Sequence, residues 1–178
     1  MTVQEHAQIV SMESQGKLLV GVDPAAARKF FTDLSAHAIA GEIGESIALR
    51  RVVVVASWLL GPLSLIASWV LATLSFGWWA IAVCIGSLAA WAAYNGRASI
   101  GNQKIIGVTW FLAMAIAACF FDGVNVLLQA WIALLAASFF FARLTYYSAV
   151  KFIRALVLKN AKAFEFLFDK ALVLREVG

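Results

Sequence analysis

Asp122, Asn125 and Gln129 recur at i, i+3 and i+7. A helix carrying them places all three polar side chains on one face. They open a long apolar run, and polar groups inside such runs are costly to insert and mark binding faces and ion pathways. The face either lines the entrance of a pore or binds a partner, or it is architectural. In the architectural case Asp122 caps the helix while Asn125 and Gln129 bridge to neighbouring helices. Arg143 lies near the far end of the same run and reads as a cation snorkelling to lipid headgroups, against a pore or ion-pair role.

Covalent and acid–base chemistry finds little support. His6 and His37 are far apart in the chain, and no H-E-x-x-H, G-x-S-x-G or phosphate loop occurs. Within the apolar region Asp122 has no second carboxylate with which to divide acid and base roles. Cys84 and Cys119 sit in separate apolar runs without metal-ligand spacing and read as inert buried thiols. The expectation is a non-catalytic protein without metal or cofactor.

The elements that must position these residues follow from composition. Apolar residues make up 63% of the 178, against roughly 45–50% in soluble domains, and this excess calls for lipid as solvent. The net charge of +4 carries no basic–aromatic pattern of the nucleic-acid-binding kind. The partners expected are the lipid bilayer and other membrane proteins or a second copy, not nucleic acid.

The fold class expected is an all-α integral membrane protein with four transmembrane helices in two hairpins. Residues 52–148 form the bundle, with spans at about 52–76, 77–94, 105–121 and 124–148. Pro62 should kink the first span. Asp122-Gly123 makes the turn into the fourth. No cleavable leader is read, so the first span acts as an uncleaved signal. Arg50 and Arg51 precede the first span, Arg97 and Lys104 lie between the second and third, and Arg143, Lys151 and Arg154 mark the exit of the fourth. The positive-inside rule then puts both termini in the cytoplasm, with these cations at lipid headgroups. Alanine-rich spans suggest a bacterial inner membrane.

Amphipathic helices are expected at both ends. In residues 1–51, Asp23 and Pro24 make a helix start, and Ala27, Phe30, Phe31, Leu34 and Ala38 recur at helical spacing, with Ile39, Ile43 and Ile47 beyond. In residues 149–178, a helix from Lys151 to Glu176 places Lys151, Lys162, Glu165, Asp169 and Glu176 on one side. Ile153, Leu156, Phe164, Leu167, Ala171 and Leu174 fall on the other. That apolar face either anchors in the lipid interface or docks a partner through Phe164, Leu167 and Leu174. Ala82, Gly86 and Ala90 form a small-residue stripe suited to close helix packing.

These features favour a non-catalytic membrane subunit of a larger assembly, of secretion, conjugation or envelope-machinery type. The alternatives are a homo-oligomeric channel or small transporter entered at Asp122, and a hairpin protein that shapes the membrane.

Overall fold

A computed structural model describes residues 3–33, 41, 47–99, 117 and 125–176. It is mostly helical. Helix α1 spans Val3–Ser14, strand β1 Leu18–Val22, and helix α2 Pro24–Thr32. Helix α3 spans Ala48–Phe76, followed by a 3-10 turn at Gly77–Trp79 and helix α4 at Ala80–Ser99. Helix α5 spans Val126–Lys159, helix α6 Ala161–Ala171, and strand β2 Leu172–Glu176. His37, Ile39, Ile43, Lys104, Cys119, Asp122 and nearly all of the expected span 105–121 lie outside the described residues.

The chain divides into two compact units, residues 1–55 with 145–178, and residues 56–144. The first is knit from both ends of the chain. Helix α1 closes with paired bonds from Lys17 N to Met12 O and from Gly16 N to Glu13 O, Gly16 taking φ +71°. This is the left-handed glycine stop of a Schellman motif, which frees the chain to enter β1. β1 pairs antiparallel with β2, from Leu18 opposite Glu176 to Val22 opposite Leu172. Asp23 then caps α2 by accepting from Ala25 N at 2.9 Å, and Pro24 holds the first turn.

The core of this unit joins Phe31 and Ala27 of α2, Val20 of β1, Ile153, Leu156 and Val157 of α5, and Phe164 and Leu167 of α6. Phe31 stands edge-on to Phe152 at 6.2 Å. The apolar side chains expected to face lipid or a partner therefore face each other.

The sequence pattern misplaces the end of the chain. The helix expected from Lys151 to Glu176 is two helices and a strand. Asn160 breaks it by taking an extended conformation and accepting from Lys162 N and Ala163 N at 3.0 and 3.3 Å. An asparagine side chain that satisfies two free amides makes a new helix start cheaper than continuation. The β-branched and leucine run after Ala171 then pairs with β1, so Leu174 belongs to a strand. An all-helical class is corrected to that extent.

In the second unit the chain turns back on itself after α3. The Trp69 indole donates to Ser87 Oγ at 2.9 Å. Residues 18 apart on one straight helix lie roughly 27 Å apart at about 1.5 Å per residue, so α3 and α4 run side by side. The turn is made at Gly77, with φ +52°. Helix α5 packs on the same pair: Phe76 meets Trp131 at 5.2 Å, and the Trp91 indole donates to Ser138 O at 3.3 Å. Helix α3 runs unbroken through Pro62.

Two helical stretches, Ala48–Ala98 and Val126–Lys159, are long and apolar enough to cross a membrane. Only 28% and 17% of their most apolar windows are buried, less than in a core helix enclosed on all sides. On α3, Ser57, Gly61, Ser64, Ser68 and Ala72 are buried, while Trp58, Leu59, Leu63, Ile66 and Val70 are exposed. That arrangement inverts the usual order of a water-soluble protein.

Candidate functional site

The residues with the best chemistry are mostly committed to architecture. The buried His6 on α1 places Nε2 at 2.8 Å from Val157 O. A carbonyl only accepts, so Nε2 carries the proton and donates. Val157 is in the last turn of α5, where carbonyls lack an intrahelical partner, and His6 satisfies one of them. Its ring also stands edge-on to Phe164 at 5.6 Å.

Arg51 was expected at lipid headgroups. Its guanidinium instead donates to Phe31 O and Asp33 O, both at 3.2 Å, and closes the C-terminal end of α2. Arg154 pairs with Glu13. Lys151 is exposed, 6.0 Å from the Tyr147 ring centre. Arg28 lies 5.6 Å from the Tyr146 ring centre. Arg50 is half-buried, with Nη1 unbonded, and Arg97 is exposed. Arg143 is half-buried beside the Tyr94 ring hydroxyl.

Of the polar face expected at the start of α5, Asp122 lies outside the described residues. Asn125 is the residue before the helix, and its Oδ1 accepts from Leu127 N at 3.0 Å. Asn125 therefore does the capping assigned in the sequence reading to Asp122. Gln129 lies one turn in, half-buried. Ala82, Gly86 and Ala90 are all exposed among the described residues, and a Cβ added at Gly86 would meet nothing within 4 Å.

A small-residue face that packs within the described helices lies on α3 and α5. A Cβ at Gly61 would lie 3.6 Å from both Ala142 N and Ser138 O. Ser57, Gly61, Ser64 and Ser68 repeat at helical spacing on α3 and are buried, and Ser138 and Ala142 of α5 face Gly61. The readable signal was serine at that spacing inside an apolar run. Ser68 and Ser138 donate to their own helix, at Leu65 O and Leu135 O, both 2.7 Å. With their hydroxyls satisfied at home, they act across the helix pair by being small.

Phe164 and Leu167, expected to dock a partner, are 1% and 2% exposed. Burial in the chain's own core keeps both from forming a face for a protein partner. Leu174 on β2 remains 37% exposed.

A groove was not anticipated. It lies between α2 and α6 and has a volume of about 440 Å³. Ala26, Lys29, Phe30 and Asp33 line one wall, and Phe166, Leu167, Lys170 and Ala171 the other. Each set shares one helical face. Both lysines are exposed, and the Lys170 ammonium lies 3.7 Å from the Phe166 ring centre. The arrangement offers an apolar floor with a cation on each wall, which suits binding more than bond-making. Among the described residues no three metal-capable side chains come together.

Comparison with protein-family models, curated proteins and solved structures finds no match. The fold and the groove alone define the class: a mostly helical protein whose most apolar helical stretches are largely exposed, with a folded unit made from both ends of its chain.

Proposed function

We propose that this chain is a non-catalytic integral membrane subunit of a larger membrane assembly, of secretion, conjugation or envelope-machinery type. The observation that carries the membrane part is the burial of α3, where Ser57, Gly61, Ser64 and Ser68 lie inside beside Val54 and Leu65 while Trp58, Leu59, Leu63, Ile66 and Val70 lie outside. Lipid is the solvent that makes this order favourable. The subunit role is supported by how the polar residues are spent. His6, Arg51, Asn125 and Asn160 hold backbone groups, and what stays open is a binding groove.

The topology in this reading has four spans and cytoplasmic termini. β1 and β2 are hydrogen-bonded, so residues 18–22 and 172–176 must lie on one side of any membrane. The number of crossings between them is then even. Helices α3, α4 and α5 supply three, and residues 105–121 are assigned the fourth. The arginines and lysines at 50, 51, 97, 104, 143, 151 and 154 favour a cytoplasmic position for the joined unit, and the inner membrane of a bacterium is the proposed home.

The test is gentle extraction from native membranes followed by native mass spectrometry. Other proteins in fixed ratio support the subunit reading, whereas a chain that always leaves the membrane alone refutes it. Topology is checked separately by cysteine labelling in intact cells, with Cys84 and Cys119 replaced by serine. Lys17→Cys should be shielded from an impermeant reagent and Trp78→Cys reached by it. The opposite pattern inverts the orientation.

A further inference from the structure

We propose that the groove between α2 and α6 binds a single-chain anionic amphiphile, a fatty acyl carboxylate in chemical class. The proposal goes beyond the assembly reading and does not rest on it.

Size sets the first limit. About 440 Å³ lies within the ~300–1,000 Å³ of pockets that hold one small ligand. A protein partner buries about 800 Å² on each side of a standard interface, more than this short groove offers. The occupant is therefore one small molecule.

Wall chemistry sets the second limit. Phe30, Phe166 and Leu167 supply an apolar floor, and apolar walls favour a hydrocarbon chain. Among the described lining residues, Lys29 and Lys170 stand on opposite walls against one carboxylate, Asp33, so these residues carry a net positive charge. An anionic head complements it, and a cationic head does not. Helix position alone partly accounts for both lysines, since each lies in the last turn of its helix, where a cation is favoured. It does not account for their convergence on one concave, apolar site. Lys170 lies over the Phe166 ring, which holds its charge at the wall of the groove.

The experiment uses the full chain in a non-ionic detergent, read by native mass spectrometry. The probes are dodecanoate, dodecanol and dodecyltrimethylammonium, which share a chain and differ in head charge. One dodecanoate per chain is expected, with the neutral and cationic probes at least tenfold weaker. The double variant Lys29→Gln/Lys170→Gln should lose at least tenfold in dodecanoate affinity while its melting temperature is kept. Equal binding of all three probes, or an unchanged double variant, overturns the proposal. A diazirine-bearing dodecanoate gives a second readout that needs no variant. Crosslinks should fall on peptides holding Phe30 and Phe166, and crosslinks confined to 56–144 would place the chain elsewhere. Dodecanoate that fails to bind where phosphatidylglycerol binds in unit ratio overturns the single-chain assignment. None of these outcomes alters topology or co-purification, so the two readings fail separately.

Discussion

The unit knit from the termini and the unit of residues 56–144 bury opposite kinds of side chain. In the first, Phe31, Phe164, Ile153 and Leu156 are nearly inaccessible, and Lys151, Lys162, Glu165 and Asp169 face outward. In the second, Ser64, Ser68 and Ser138 are buried while Trp58, Leu63, Ile66 and Val70 are exposed. Helix α5 contributes to both, changing its buried residues from Ser138 and Ala142 to Ile153 and Leu156 within one continuous element. Helical periodicity is the same in each regime. What changes is the solvent that the large apolar side chains have to avoid or accept.

The sharpest way to break the comparison is to truncate one large side chain in each unit. Phe164→Ala removes a ring from a packed core and should cost about 3–5 kcal/mol. Leu63→Ala removes a side chain that is 57% exposed and should cost within about 0.5 kcal/mol, as substitutions away from packed features do. Urea titration in detergent, monitored by proteolysis at the tails, separates the two. Comparable losses would mean that Leu63 is as tightly packed as Phe164.

Adding bulk tests the second unit from the other direction. At Gly61 a Cβ would sit at 3.6 Å from its neighbours, an ordinary contact, so Gly61→Ala should be nearly neutral. Gly61→Leu must push α3 from α5 and should cost about 1–3 kcal/mol. At Gly86, where nothing lies within 4 Å of an added Cβ, leucine should be accepted. Thermal melting of the purified chain in detergent measures all three. A tolerated Gly61→Leu would refute close packing through the serine–glycine face.

Much of this was legible in the sequence, and the failures have physical causes. Asp23-Pro24 announced α2 because capping is a local rule. The apolar and charged sides of the tail were readable because 100° periodicity needs only the residues themselves. What covers the apolar side was not, because Phe164 meets His6 and Val20 joins Leu167 only through tertiary contact. The β1–β2 pairing links residues at least 150 positions apart, and no local pattern encodes that distance. Asn160 was a readable signal that the continuous amphipathic pattern obscured. The groove depends on two helices brought together from opposite ends of the chain, so neither end alone reveals it.

The cap formed by His6 offers a smaller effect with a clear geometry. His6→Leu keeps apolar bulk beside Phe164 but leaves Val157 O without its donor. A buried acceptor left unpaired costs about 1–3 kcal/mol. His6→Gln can present a donor from a similar distance and should recover part of that loss. Hydrogen exchange at the end of α5 provides the measurement. Protection that is the same in the leucine and glutamine variants would show that ring packing, not the bond to the carbonyl, is what α1 contributes.

The smallest expected effect lies at the surface of the same unit. Arg154 and Glu13 join α5 to α1 through an ion pair in which the arginine is 45% exposed. Exposed pairs contribute about 0.2–1 kcal/mol, and salt screens them. Glu13→Gln should therefore lower the melting temperature slightly at low salt, and the difference from the unmodified chain should shrink at high salt. Arg154→Leu changes the side chain's length and packing as well as its charge, so it is the less clean probe. The comparison between units gains from this weak case. Terminal segments held mainly by a charge pair would loosen as salt rises. Segments held by His6, Phe31 and the β1–β2 ladder should stay joined, and limited proteolysis of residues 1–17 across a salt series distinguishes the two.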